Sequence, residues 1–96
     1  MRKILLGPPL ITNDDVQAVA KVVKSGNLSL GEETEKFEKE MAVWLGVKYA
    51  VATSSGTTAL HLAVIASQVH AGDEVITTPF SFVASTNCFL YEKAIP

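Results

Sequence analysis

Val51-Ala52-Thr53-Ser54-Ser55-Gly56-Thr57-Thr58-Ala59-Leu60 is the stretch on which the reading of this 96-residue chain turns. Tyr49–Thr53 has the residues of a short strand, and the run after it is small and polar. From Thr57 to about Val69 the residues are apolar nearly all round, as in a helix buried on more than one side. A strand that passes through a small-residue turn straight into a helix leaves the first helical amides without internal partners. They point at one spot, where the helix dipole favours an anion. Gly56 lets the backbone approach a ligand with no Cβ in the way, and Thr57 and Thr58 add hydroxyl donors. A phosphate group is one occupant of such a turn. A plain strand-to-helix turn capped by Ser54 or Ser55 is the other reading, and the local pattern leaves both open.

Downstream, His70-Ala71-Gly72-Asp73 reads as a turn, Glu74–Thr78 as a second strand closed by Pro79, and Ser81 to Lys93 as a helix. Ala94-Ile95-Pro96 looks like a further strand beginning. Upstream, Pro8-Pro9 imposes an extended approach to a helix capped by Thr12, with Asp14 and Asp15 at its positive end. Val16, Val19, Ala20 and Val23 form its apolar stripe and Ser25-Gly26 stops it. A second helix is predicted over Glu32–Leu45, with pairs Glu32–Lys36 and Glu35–Lys39 on its solvated face. Phe37, Met41, Trp44 and Leu45 are its expected buried face, and Gly46 ends it. The second half thus reads as strand–helix–strand–helix, a right-handed βαβ unit. The fold class expected is α/β with an incomplete parallel sheet. Parallel strands need cover on both faces, so the chain reads as the front portion of a larger protein.

Hydrophobic residues make up 48% of the chain and charged residues 19%, which excludes a disordered tail. A net charge of −2 with no basic cluster argues against nucleic-acid binding. Cys88, the single cysteine, excludes an intrachain disulfide framework and a multi-cysteine zinc site, and no metal is expected. Ala59–Val69, the most apolar stretch, is too short to span a membrane. Met1–Leu6 opens like a signal peptide, but Gly7-Pro8-Pro9 cuts the run short; an extended N-terminal arm and a cytoplasmic location are expected.

Two phosphate-binding classes are also excluded. No Gly-Lys-Ser/Thr follows a glycine-rich loop, and there is no GxGxxG. Ser54–Thr58 resembles the phosphate loop of acyl-adenylating enzymes, but Ala59-Leu60-His61 stand where that family has a glycine and then Pro-Lys. In a parallel sheet the carboxyl ends of successive strands share an edge, which places Thr78-Pro79-Phe80-Ser81-Phe82 beside the phosphate loop. An aromatic ring there suits a flat heteroaromatic ligand, although Phe80 and Phe82 are each equally compatible with a core position.

The runs Gly26–Glu33, Phe37-Glu38, Leu45–Val51, Ser54–Ala63, Gly72–Pro79 and Phe82–Asn87 resemble, in order and spacing, the opening of the DegT/DnrJ/EryC1/StrS aminotransferases. The resemblance implies the N-terminal portion of an aspartate-aminotransferase-type (fold type I) three-layer α/β/α domain. It implies pyridoxal phosphate as cofactor of the complete enzyme, with glutamate and a nucleotide-linked keto-sugar as substrates, and a homo-oligomer. Residues 1–30 would be an arm, first helix and loop, and 31–96 the start of the cofactor-binding large domain. Carried over by position, the amides of Gly56 and Thr57 and the Thr57 hydroxyl would hold the cofactor phosphate, and Phe82 would stack on the pyridine ring. Ser29 and Gly31 match the segment near the sugar entrance, next to Asn27, where the family commonly has a bulky aromatic.

The chemistry of this family needs a lysine that bonds the cofactor and shuttles a proton, and an acid on the pyridine nitrogen. No lysine or aspartate here stands in a matching motif, so no catalytic residue is assigned. The 96 residues alone are expected to be inactive and to bind the cofactor weakly or not at all. His61, one helical turn after Thr57, reads as a satisfied or partly exposed helix histidine, and Cys88 as a small buried hydrophobe. The alternative from another class is a non-catalytic truncated paralogue that associates with itself or a partner through uncovered apolar surface.

Overall fold

The computed structural model describes residues 7–29 and 31–96. The opening Met1–Leu6 of the expected arm, and Leu30, lie outside them. The chain divides into two compact units, the first ending at Tyr49 and the second running from Ala50 to Pro96. Each holds two α-helices among the described residues: α1 (Asn13–Ser25) and α2 (Glu32–Leu45), then α3 (Gly56–Ala66) and α4 (Ala84–Tyr91).

In the first unit, α1 starts where a capping box forms. The Thr12 hydroxyl accepts from the Asp15 amide, and the Asp15 carboxylate accepts from both the amide and the hydroxyl of Thr12, each at 2.7 Å. These bonds, the side-chain one first, hold the Asp15 carboxyl below its ordinary range. Gly26 and Gly46 end α1 and α2 in the left-handed conformation, which an L side chain would resist. On α2 the Glu35–Lys39 pair forms at 3.6 Å as expected, but Lys36 turns forward to Glu40 at 3.9 Å instead of back to Glu32. Glu32 sits in the first turn with Glu33 and Glu35, where the free amides favour carboxylates. The expected buried face of α2 is not buried. Ala42 is the buried residue of this helix, Phe37 and Leu45 are more than half exposed, and Trp44 is 78% exposed.

In the second unit, α3 and α4 pack against each other, and Val64, Ala84, Cys88 and Ala94 are the buried side chains. Of these, Val64 lies on α3, Ala84 and Cys88 lie on α4, and Ala94 follows it. Both helices are shorter than their apolar patterns predict. In α3 the Val69 amide reaches the Val64 carbonyl at 3.4 Å around Gln68, and in α4 the Ala94 amide reaches Phe89 at 3.1 Å around Lys93. Gln68 (φ 57°) and Lys93 (φ 59°) are both left-handed, so each helix closes in a Schellman-type turn inside its apolar run. The start of α4 is delayed to Ala84, with the Ser85 amide and hydroxyl both donating to the Phe82 carbonyl.

The expected parallel sheet is corrected by the structure: no strand forms among the described residues. One parallel bridge joins Glu74 to Ile95, with Val75 N donating to Ile95 O at 2.9 Å and Ile95 N to Asp73 O at 2.8 Å. The connection between the bridged residues runs through α4. Among the described residues, pairing therefore begins at Ala94-Ile95, whose sequence suggests an incipient strand, and not between Tyr49–Thr53 and Glu74–Thr78. A parallel ladder needs a partner alongside each segment. The beginning of the second segment finds one in Ile95, while Val51 and Ile76 stay exposed.

Candidate functional site

Ser55 is extended (φ −163°, ψ 161°) and caps α3, its hydroxyl accepting from the Thr58 amide at 3.2 Å. The Thr58 hydroxyl lies 3.0 Å from that of Ser55 and 3.3 Å from that of Ser54, and the Thr53 hydroxyl donates to the Ser55 carbonyl at 2.9 Å. Four of the five hydroxyls in this turn are thus occupied in shaping it. The amides of Gly56 and Thr57 and the Thr57 hydroxyl are the donors not used in this way. The Thr57 and Thr58 hydroxyls, equivalent in the sequence, are separated by this arrangement.

The electrostatics favour an anion. The first turns of α1 and α2 carry two and three acidic residues, whereas the first turn of α3 carries none. Its positive end is therefore not neutralised from within the helix. A Cβ built on Gly56 would meet no heavy atom within 4 Å, so there is room over these amides.

That room is a cavity of about 560 Å³. Gly56 and Thr57 line it together with Ala59 and Leu60 of α3, Phe82 from the turn before α4 and Ser85 from the first turn of α4. Phe82 is 76% exposed, so its ring is accessible to a ligand. Phe80 is also exposed but does not line the cavity. The two phenylalanines that the sequence could not distinguish thus occupy different positions. Among the described residues, no ionisable side chain lines the cavity.

In the first unit, Gly31 caps α2 and lines a separate cavity of about 190 Å³ with Lys21, Asn27 and Glu32. A Cβ on Gly31 would approach the Asn27 carbonyl oxygen to 3.2 Å, so this turn is tight around a glycine. Ser29 is exposed and does not line that cavity. His61 does not reach the Phe82 cavity; its Nε2 lies 2.6 Å from Glu92 Oε1. Cys88 is fully buried, its thiol 3.5 Å from the Ser85 carbonyl. The sequence reading missed Leu60 and Ser85 as wall residues. Leu60 lies three residues after Thr57 on α3, and Ser85 three after Phe82, so helical spacing was the available signal. No group of three or more potential metal ligands occurs among the described residues.

Free helix-start amides beside an accessible aromatic ring have the chemistry to hold a flat, phosphorylated ligand. Residues 9–96 match the DegT/DnrJ/EryC1/StrS aminotransferase family, and the chain belongs to it. The family depends on pyridoxal phosphate. The spore coat polysaccharide biosynthesis protein SpsC of Bacillus subtilis is 43% identical over 92% of this chain and 23% of its own length. The 3-oxo-glucose-6-phosphate:glutamate aminotransferase of the same organism is 37% identical over 91% of this chain and 21% of its own. GDP-perosamine synthase of Caulobacter vibrioides is 46% identical over 71% and 18%. Among solved structures, NtdA of Bacillus subtilis with bound cofactor PMP superposes with a TM-score of 0.80 at 36% identity, over 99% of this chain and 24% of that one. The chain spans about a quarter of the length of the relatives it matches. Its structural neighbours are fold type I aminotransferases.

Proposed function

We propose that this chain supplies the phosphate cup and the ring-stacking wall of a pyridoxal-phosphate-dependent nucleotide-sugar aminotransferase. In this reading the complete enzyme moves an amino group from glutamate to a keto-sugar. The observation that carries the proposal is the convergence of Gly56, Thr57 and Phe82 on one cavity. The amides of Gly56 and Thr57 and the Thr57 hydroxyl take the phosphate oxygens, and Phe82 lies against the ring. The names of the relatives support the substrates: one acts with glutamate and one makes a GDP-linked amino sugar. When bound, the cofactor supplies the electron sink that labilises bonds at the amine-bearing carbon. Residues 31–96 form the start of the three-layer α/β/α large domain, with the Glu74–Ile95 bridge as the seed of its parallel sheet. Ser29 and Gly31 contribute to binding the sugar, and the assembly is a cytoplasmic homo-oligomer.

The lysine that bonds the cofactor and the acid that partners its ring nitrogen are not assigned to any residue here, so the 96 residues alone bind weakly and do not turn over. Titration with pyridoxal phosphate and, separately, with AMP tests the reading. Saturable change in the cofactor absorbance, with amide shifts at Gly56 and Thr57 and none with AMP, is expected. Equal response to AMP, or none at these amides, refutes the cup. Transaminase turnover by this chain alone refutes the inactivity.

The non-catalytic reading is favoured by one observation, the exposure of Val43, Trp44, Ile76 and Phe80. It requires association in light scattering, and a monomer without pyridoxal phosphate binding counts against both readings.

A further inference from the structure

His61 and Glu92 form a long-range link. His61 Nε2 lies 2.6 Å from Glu92 Oε1 across 31 residues of chain, whereas the hydrogen bonds of Thr12, Ser25, Ser55 and Ser67 stay within four. Both side chains are about one-third exposed. An ionised carboxylate only accepts, so Nε2 is the donor in this bond. The ring also meets Tyr91 edge-on, with centroids 5.1 Å apart at 68°. His61 is one turn beyond Thr57 on α3, and Glu92 caps the end of α4; Phe82 lies two residues before the start of α4 and is tied to its first turn by the Ser85 amide and hydroxyl, which donate to the Phe82 carbonyl. The link therefore holds α4, to whose first turn Phe82 is bonded, to the element bearing the cup.

We propose that Glu92 is a positioning residue: its bond to His61 sets the distance between Phe82 and the amides of Gly56 and Thr57, and so the fit of a ligand that needs both. The proposal rests on reading the cup as a phosphate site. It separates two ligands. Pyridoxal phosphate uses cup and wall together, whereas inorganic phosphate uses only the cup, which α3 and its own caps shape.

The test follows the Gly56 and Thr57 amide resonances of the full chain during titration with each ligand, in the parent, Glu92→Ala and Glu92→Gln. Glu92→Ala weakens pyridoxal phosphate about fivefold, the loss expected for one partly exposed charge-assisted hydrogen bond, and leaves inorganic phosphate unchanged. Glu92→Gln, which still offers an oxygen to Nε2, stays within about twofold of the parent. Unchanged pyridoxal phosphate binding in Glu92→Ala overturns the proposal. So does equal loss of both ligands, or lost helical circular dichroism, because either makes the link merely structural. If the parent takes up neither ligand, the reading of the cup fails on its own account. The link is then judged by the Phe82 amide in Glu92→Ala: a displaced resonance supports positioning and an unmoved one refutes it.

Discussion

Replacing Gly56 with alanine separates folding from binding, because the two respond with opposite sign. Gly56 opens α3 and is not among the glycines with left-handed backbone, and an added Cβ meets no heavy atom within 4 Å. The methyl group therefore costs the folded chain no strain, while alanine restricts the unfolded chain. A gain of about 0.5–1 kcal/mol follows, or a rise in Tm of about 2–6 °C for a domain of this size. The same methyl group projects where a phosphate must approach the amides of Gly56 and Thr57. Displacing the phosphate from those donors removes charge-assisted hydrogen bonds worth about 2 kcal/mol in all, or roughly thirtyfold in affinity. Thermal melts by far-UV circular dichroism, with pyridoxal phosphate titration of the same samples, measure both. A Gly56→Ala chain that melts higher and binds as the parent does refutes the placement of the phosphate. A chain that melts several degrees lower refutes the claim of open space above Gly56.

Two further outcomes follow from the caps. Ser55→Ala removes the oxygen that accepts from the Thr58 amide and costs about 1 kcal/mol, read as a lower melting midpoint; Ser55→Asp restores the cap but sets a carboxylate beside the cup and repels phosphate. The Asp15 carboxyl is held below its ordinary value of 3.8, so its contribution to α1 is present above that pH and fades as the pH falls through the lower folded value. Amide resonances of residues 13–16 followed from neutral to acid pH are expected to show this loss of helix, and Asp15→Ala is expected to abolish it.

Local chemistry made much of the chain legible. Thr12 and Gly26 bracket α1, Gly31 and Gly46 bracket α2, and the start of α3 at Gly56 is within a residue of the prediction, because caps and left-handed glycines act over one helical turn. The ends of α3 and α4 were not legible. Gln68 and Lys93 adopt the left-handed form without being glycine, so composition carries no stop signal there.

The sequence by itself determined the starts of α1, α2 and α3 and the family, since each depends on residue types within a short window. Only the tertiary structure decided that Phe82 and not Phe80 lines the cavity with Gly56 and Thr57, that His61 is spent on Glu92, and that Glu74 pairs with Ile95. These are contacts between segments distant along the chain, and packing selects among partners that sequence pattern leaves equivalent. Trp44 shows the same limit in reverse: helical spacing marks a face as apolar, but burial requires a second surface to cover it.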